Sequence, residues 1–124
     1  MGLIVDGLNI FLALGTIAFG LFGWLKPNDT MNYLGLQPAD GSGLGKSEVR
    51  AASGALWVAV GLGAIIIGTP TAYVMLALVY VGAATGRLTA VTIDGANKGK
   101  PVIFFAVEAT FAALLLIINL PSVL

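Results

Sequence analysis

Four stretches of about twenty residues, almost free of charge, set the terms for everything else in this sequence: Leu3–Leu25, Glu48–Ile67, Ala72–Ile93 and Pro101–Leu120. Twenty residues of α-helix rise about 30 Å, the thickness of the hydrocarbon core of a bilayer. Backbone amides in lipid find no water, so each span must satisfy its hydrogen bonds internally, as a helix does. A β-barrel needs many alternating ten-residue strands, and none are written here. A water-soluble domain carries about a quarter charged residues. This chain has 10% charged and 58% hydrophobic residues, too few polar groups to cover a soluble surface. The expected fold class is all-α, a four-transmembrane-helix bundle, with residues 1–124 as a single integral membrane domain.

The breaks between spans carry turn chemistry. Lys26-Pro27-Asn28-Asp29 ends the first helix, because proline cannot continue it. Gly68-Thr69-Pro70-Thr71 reads as a tight turn. Asp94 to Lys100 joins the third and fourth spans, and Pro101 suits the first turn of the last helix. Within the long polar connection 27–47, Asp29 to Leu34 followed by Gly35 is expected to form a short interfacial helix. Ser47 is the expected N-cap of the second span, where Glu48 meets the positive end of the helix.

All six basic residues lie at one end of the spans. Lys26, Lys46 and Arg50 belong to the first connection, and Arg87, Lys98 and Lys100 to the third. The N-terminus, the turn at 68–71 and residues 121–124 carry none. The positive-inside rule then makes loops 26–47 and 94–100 cytoplasmic and both termini external. The N-terminal stretch lacks a basic region and a small-residue cleavage site, so a cleaved leader is not expected. Asp6 stands where a myristoylation motif needs Ser or Thr.

The sequence has no histidine and no cysteine. Disulfides, thiolate chemistry and histidine-based acid–base catalysis are therefore excluded. No catalytic residue, cofactor or metal is expected. The zero formal net charge offers nothing to a nucleic-acid partner. The expected partners are the lipid bilayer and a neighbouring membrane protein or second copy.

Lipid supplies no hydrophobic drive between helices, so close packing relies on small residues. Ala51, Ala55, Ala59 and Gly63 repeat every four residues in the second span, and Gly82, Gly86 and Ala90 in the third. Ala109 and Ala113 do so in the fourth. Packing within the bundle is the first expectation for these faces, and association with another subunit the second.

Ionisable side chains at membrane depth are costly and mark candidate sites. Five lie within or beside the spans: Glu48, Arg50, Arg87, Asp94 and Glu108. Arg87 lies ten residues before Asn97 and Glu108 eleven after it, so an antiparallel pair brings them to similar depth. An Arg87–Glu108 contact is expected, with Glu48 or Asp94 as second acceptor. Glu48 shares a helical face with Ala52, Ala55 and Ala59 and is aimed at the bundle. Arg50 lies about 200° around from Glu48 and is expected to snorkel to lipid phosphates. The cluster is either a register-fixing charge group or a polar pocket for a ligand or proton. Asp6 and Asn9 form a smaller polar group near the outer end of the first span.

Two further patterns have bland readings. Gly41 to Ser47 looks like a phosphate-binding loop, but Asp40 occupies the position of its first glycine and no strand precedes it. Trp24, Tyr33 and Tyr73 fall near span ends, where aromatic belts form. Trp57 and Tyr80 lie deeper, as candidates to line a cavity.

Gly86-Arg87-Leu88-Thr89, then Asp94-Gly95, then a proline and a helix containing Glu108, resemble a small bacterial four-helix membrane family of unknown function. Glu48-Val49-Arg50-Ala51 leading to Gly54 carries the same likeness. That family is similar in layout to the DoxX-like membrane proteins. The chain departs from it by placing Ala96–Lys100 before Pro101. The resemblance implies a four-helix bundle in a bacterial inner membrane, with polar positions at Glu48, Arg50, Arg87, Asp94 and Glu108. It implies no activity. The leading expectation is a non-enzymatic accessory or interacting subunit of a membrane complex. A binder or isomerase of a lipophilic molecule, and a proton-coupled carrier, are the alternatives.

Overall fold

The computed structural model describes residues 2–39, 41 and 43–124. Among these residues there is no strand. Four helices are long and apolar enough to cross a membrane: α1 (Leu3–Leu25), α3 (Leu44–Ile67), α4 (Pro70–Ile93) and α5 (Lys100–Ser122, ending in a 3-10 turn from Leu120). A short helix, α2 (Pro27–Leu34), follows α1. The all-α reading with four membrane-length helices is thus the observed one. The spans bury only 11–33% of their most apolar windows inside the chain. Side chains such as Leu3, Phe11, Ile66, Ile93 and Ile117 are left exposed and call for lipid around them.

The helix ends follow from local sequence. Lys26 leaves the helical conformation ahead of Pro27, and Pro27 then opens α2. That places the start of the short helix two residues before the expected Asp29. Gly35 ends it at φ 75°, a left-handed conformation that glycine adopts without steric penalty. The Leu36 amide bonds back to the Met31 carbonyl at 2.8 Å and closes the cap.

α3 begins at Leu44, four residues before the expected Glu48. Ser47 therefore sits inside the first turn and is not the N-cap; its amide already donates to the Gly43 carbonyl at 2.8 Å. The polar, glycine-rich run before Ser47 conceals this extra turn. The Thr69 side chain caps α4 by accepting from the Ala72 amide at 3.3 Å.

The larger surprise is within α3. Residues Ala51–Ala55 form a single kinked π-turn: the Leu56 amide reaches back five residues to the Ala51 carbonyl, and Gly54 leaves the helical conformation at φ -129° and ψ -106°. The extra residue breaks the 100°-per-residue arithmetic that placed Glu48 on one face with Ala55 and Ala59. The Trp57 indole N–H donates to the Ala52 carbonyl at 2.9 Å, inside this turn.

The contacts gather into two compact units, Met1–Asn9 with Ile67–Leu124, and Ile10–Ile66. In the first, α4 packs against α5. α4 buries Tyr73, Leu76, Ala77, Tyr80 and Ala84, a three-and-four spacing that follows one helical face. α5 buries Ala112, Leu115 and Asn119. The Tyr80 and Phe111 rings lie 5.0 Å apart at 47°. Tyr80 is thus a core side chain.

In the second unit, α1 and α3 approach closely at glycines. A Cβ on Gly54 would lie 2.6 Å from the Trp24 backbone nitrogen, and one on Gly20 would lie 2.6 Å from that of Val58. One on Gly61 would lie 2.9 Å from the Ile17 side chain. The seam is therefore Gly20 and Gly23 against Ser53, Gly54 and Val58, with Ala13 and Ile17 against Gly61. It is not the expected row of Ala51, Ala55, Ala59 and Gly63: Ala51 and Ala59 are exposed, and Gly63 has open space beside it. Within the regular part of α3, Val58 and Gly61 follow a three-residue spacing on the packed face, and Ala59 and Gly63 fall beside it.

Candidate functional site

In the first unit, Arg87 on α4 and Glu108 on α5 meet as the antiparallel hairpin requires. Arg87 stands six residues before Ile93, and Glu108 eight after Lys100. At 1.5 Å per residue both lie about 9–12 Å in from their helix ends. The Arg87 Nε donates to Glu108 Oε1 at 3.3 Å. The side chains are 39% and 15% exposed, so the pair is sheltered on the glutamate side. The guanidinium carbon sits 4.9 Å above the centre of the Phe104 ring, a cation–π arrangement.

The pair is single-pronged. Glu108 Oε2 is buried and makes no hydrogen bond. A second donor from a bidentate arginine fork, which would strengthen such a pair, is not used here.

The remaining sequence candidates do not join this contact. Asp94, expected as a second acceptor, is exposed at the C-terminal end of α4, where its amide bonds the Ala90 carbonyl. Asp94 follows Arg87 by seven residues, about 10 Å along the helix axis, while Glu108 lies at the depth of Arg87.

Glu48 and Arg50 belong to the second unit. Glu48 is exposed and is not aimed at the interior. Arg50 is also exposed but is not free: its Nη1 donates to the Trp24 carbonyl at 2.6 Å. That carbonyl is among the last four of α1, which have no partner within their own helix. A cation there also meets the negative end of the helix dipole. Thr30 serves the same helix end, its hydroxyl donating to Phe22 and Lys26 carbonyls.

Sequence reasoning missed a hollow in this second unit. It is about 450 Å³ and is lined by Trp24, Gly43, Lys46, Ser47, Arg50, Ala51 and Ala55. In the sequence Trp24 reads as an aromatic-belt residue, and Lys46 and Ser47 belong to the incomplete phosphate-loop pattern. Asp40, the residue that broke that pattern, and Ser42 within it lie outside the described residues. Among the described residues no three His, Cys, Asp or Glu side chains are grouped to hold a metal ion.

Sequence reasoning also noted Asn9 but not its partner. Asn9 and Asn119 are both buried in the first unit and hydrogen-bonded to each other. Asn119 lies in an apolar helix, and that isolation was the available signal.

Residues 4–119 match the family described as "Domain of unknown function (DUF4345)". No curated protein and no solved structure matches the chain.

Proposed function

Because the chain belongs to this family of unknown function, we propose its role from its own geometry: a small, non-enzymatic integral membrane protein acting as an interacting subunit. The observation that carries this reading is an open small-residue face on α4. A Cβ on Gly82 or Gly86 meets no other element within 4 Å, and both residues are exposed. The opposite face of the same helix is the buried one, from Tyr73 to Ala84. On the open side, the Thr85 and Thr89 hydroxyls donate back to the Val81 and Thr85 carbonyls. The face is thus internally satisfied and suits the close approach of a neighbouring transmembrane helix. The lack of histidine and cysteine supports a non-enzymatic role.

Orientation belongs to the same proposal. The one-sided basic residues support cytoplasmic loops at 26–47 and 94–100, in a bacterial inner membrane. The likeness of layout to the DoxX-like proteins rests on the four-span arrangement.

The native chain has no cysteine, so one placed at Thr85 reports on neighbours alone. Cross-linking in native membranes is expected to give a species above the monomer, lost when Gly86 becomes Leu. Only monomer in both cases would sink the reading.

A second reading rests on Glu108 Oε2. An unpartnered buried carboxylate oxygen can receive a donor from a lipophilic ligand, or a proton in a carrier. Ligand density or proton flux sensitive to Glu108→Gln would favour it.

A further inference from the structure

We infer that the hollow between the end of α1 and the start of α3 holds the phosphate of an anionic phospholipid. The proposal rests on the membrane reading of the four helices and not on the α4 face.

The lining has two characters. Trp24, Ala51 and Ala55 give an apolar floor, while Lys46, Arg50 and Ser47 supply two cations and a hydroxyl. A lipid presents the same division, a charged phosphate joined to an apolar glycerol ester and acyl chain. The volume of about 450 Å³ falls in the range of about 300–1,000 Å³ usual for small-molecule sites.

The charges are available. Neither Lys46 nor Arg50 has a carboxylate partner among the described residues. Glu48 is on the same helix but does not line the hollow. Arg50 is held in place by its Nη1 bond to the Trp24 carbonyl, and that bond leaves its other N–H groups to reach an anion. Trp24 is the residue type that sits at headgroup level.

The position fits as well. α1 ends at Leu25 and α3 begins at Leu44, so the hollow lies where two spans meet one end of the hydrocarbon. The π-turn at Ala51–Ala55 contributes both Ala51 and Ala55 to the floor. Single π-turns are frequent at functional sites.

The test is native mass spectrometry of the full chain, released from vesicles of equal phosphatidylglycerol and phosphatidylcholine. The parent protein should retain phosphatidylglycerol preferentially. Lys46→Gln should reduce that preference about fivefold. Arg50→Lys, which keeps the charge and loses the fork, should reduce it less and should preserve the helical circular dichroism. The charge-matched variant Lys98→Gln should retain the parental preference. Equal losses in Lys46→Gln and Lys98→Gln overturn the proposal, because they reflect bulk charge. So does a parent with no preference. Full displacement of the lipid by millimolar inorganic phosphate in detergent overturns it too, by making free phosphate the ligand.

Discussion

Asn9 and Asn119, 110 positions apart, exchange two side-chain hydrogen bonds of 2.9 and 2.8 Å at sites with 1% and 0% exposure. The Asn119 amide also donates to the Leu115 carbonyl at 2.8 Å, which fixes which way that amide is turned. The pair fastens the first turns of α1 to the end of α5 within one unit. Each amide shields the other from an apolar surrounding in which a lone amide is costly. Leucine at either position orphans the other amide and should cost about 1–3 kcal/mol. Leucine at both should cost less than the sum, with a coupling of about 0.6–1.7 kcal/mol. Unfolding in mixed micelles measures the cycle, and additive losses would contradict the pairing.

Arg87 and Glu108 should show a coupling of about 1 kcal/mol in the same kind of cycle, using Arg87→Gln and Glu108→Gln. Glu108→Gln alone should be milder than Arg87→Gln. The first leaves a cation that remains over Phe104 and partly exposed. The second strands a carboxylate that is 15% exposed and has one oxygen already unpartnered. The reverse order would mean that the cation depends on the carboxylate more than on Phe104.

Glycines in the α1–α3 seam should be intolerant, and those outside it not. Gly54→Ala places its methyl against Trp24 and Gly23 backbone, which cannot rotate away. A loss of about 1–3 kcal/mol is expected, as for overpacked cores. Gly63 and Gly86 have open space, so alanine there should be neutral or stabilise by up to about 1 kcal/mol through helix propensity. Thermal melts of the three single variants separate the two classes.

Cysteines placed singly at Asn28, Asn97 and Thr71 should report the orientation. An impermeant maleimide added to inverted vesicles should label the first two, and added to intact cells only the third. Opposite labelling would reverse the topology drawn from the basic residues.

Much of this was legible from the chain. Span number, the α2 helix and the Arg87–Glu108 contact follow from hydropathy, proline and glycine positions, and counting across a hairpin. These are local or single-turn relationships. The α3 register was not legible, because Gly54, which takes the kink, reads in sequence like any other small residue of a span rich in alanine and glycine. Beyond the kink the packed face carries Val58 and Gly61 in place of Ala59 and Gly63, and Glu48 is exposed. Arg50 was expected to reach outward to lipid phosphate. It is anchored first by a carbonyl of α1, an acceptor that becomes visible only when the end of that helix is placed beside it.

The extra residue in α3 also makes the segment a phase marker. Removing Ala52, which belongs to neither the hollow nor the seam, would restore an uninterrupted helix and turn everything before it by about 100°, with a shift of about 1.5 Å. Lys46 and Arg50 would swing away from Trp24 while Gly61 stayed against Ala13 and Ile17. The two halves of α3 thus answer to different neighbours, and a single deleted codon would separate the hollow from the seam without altering any side chain in either.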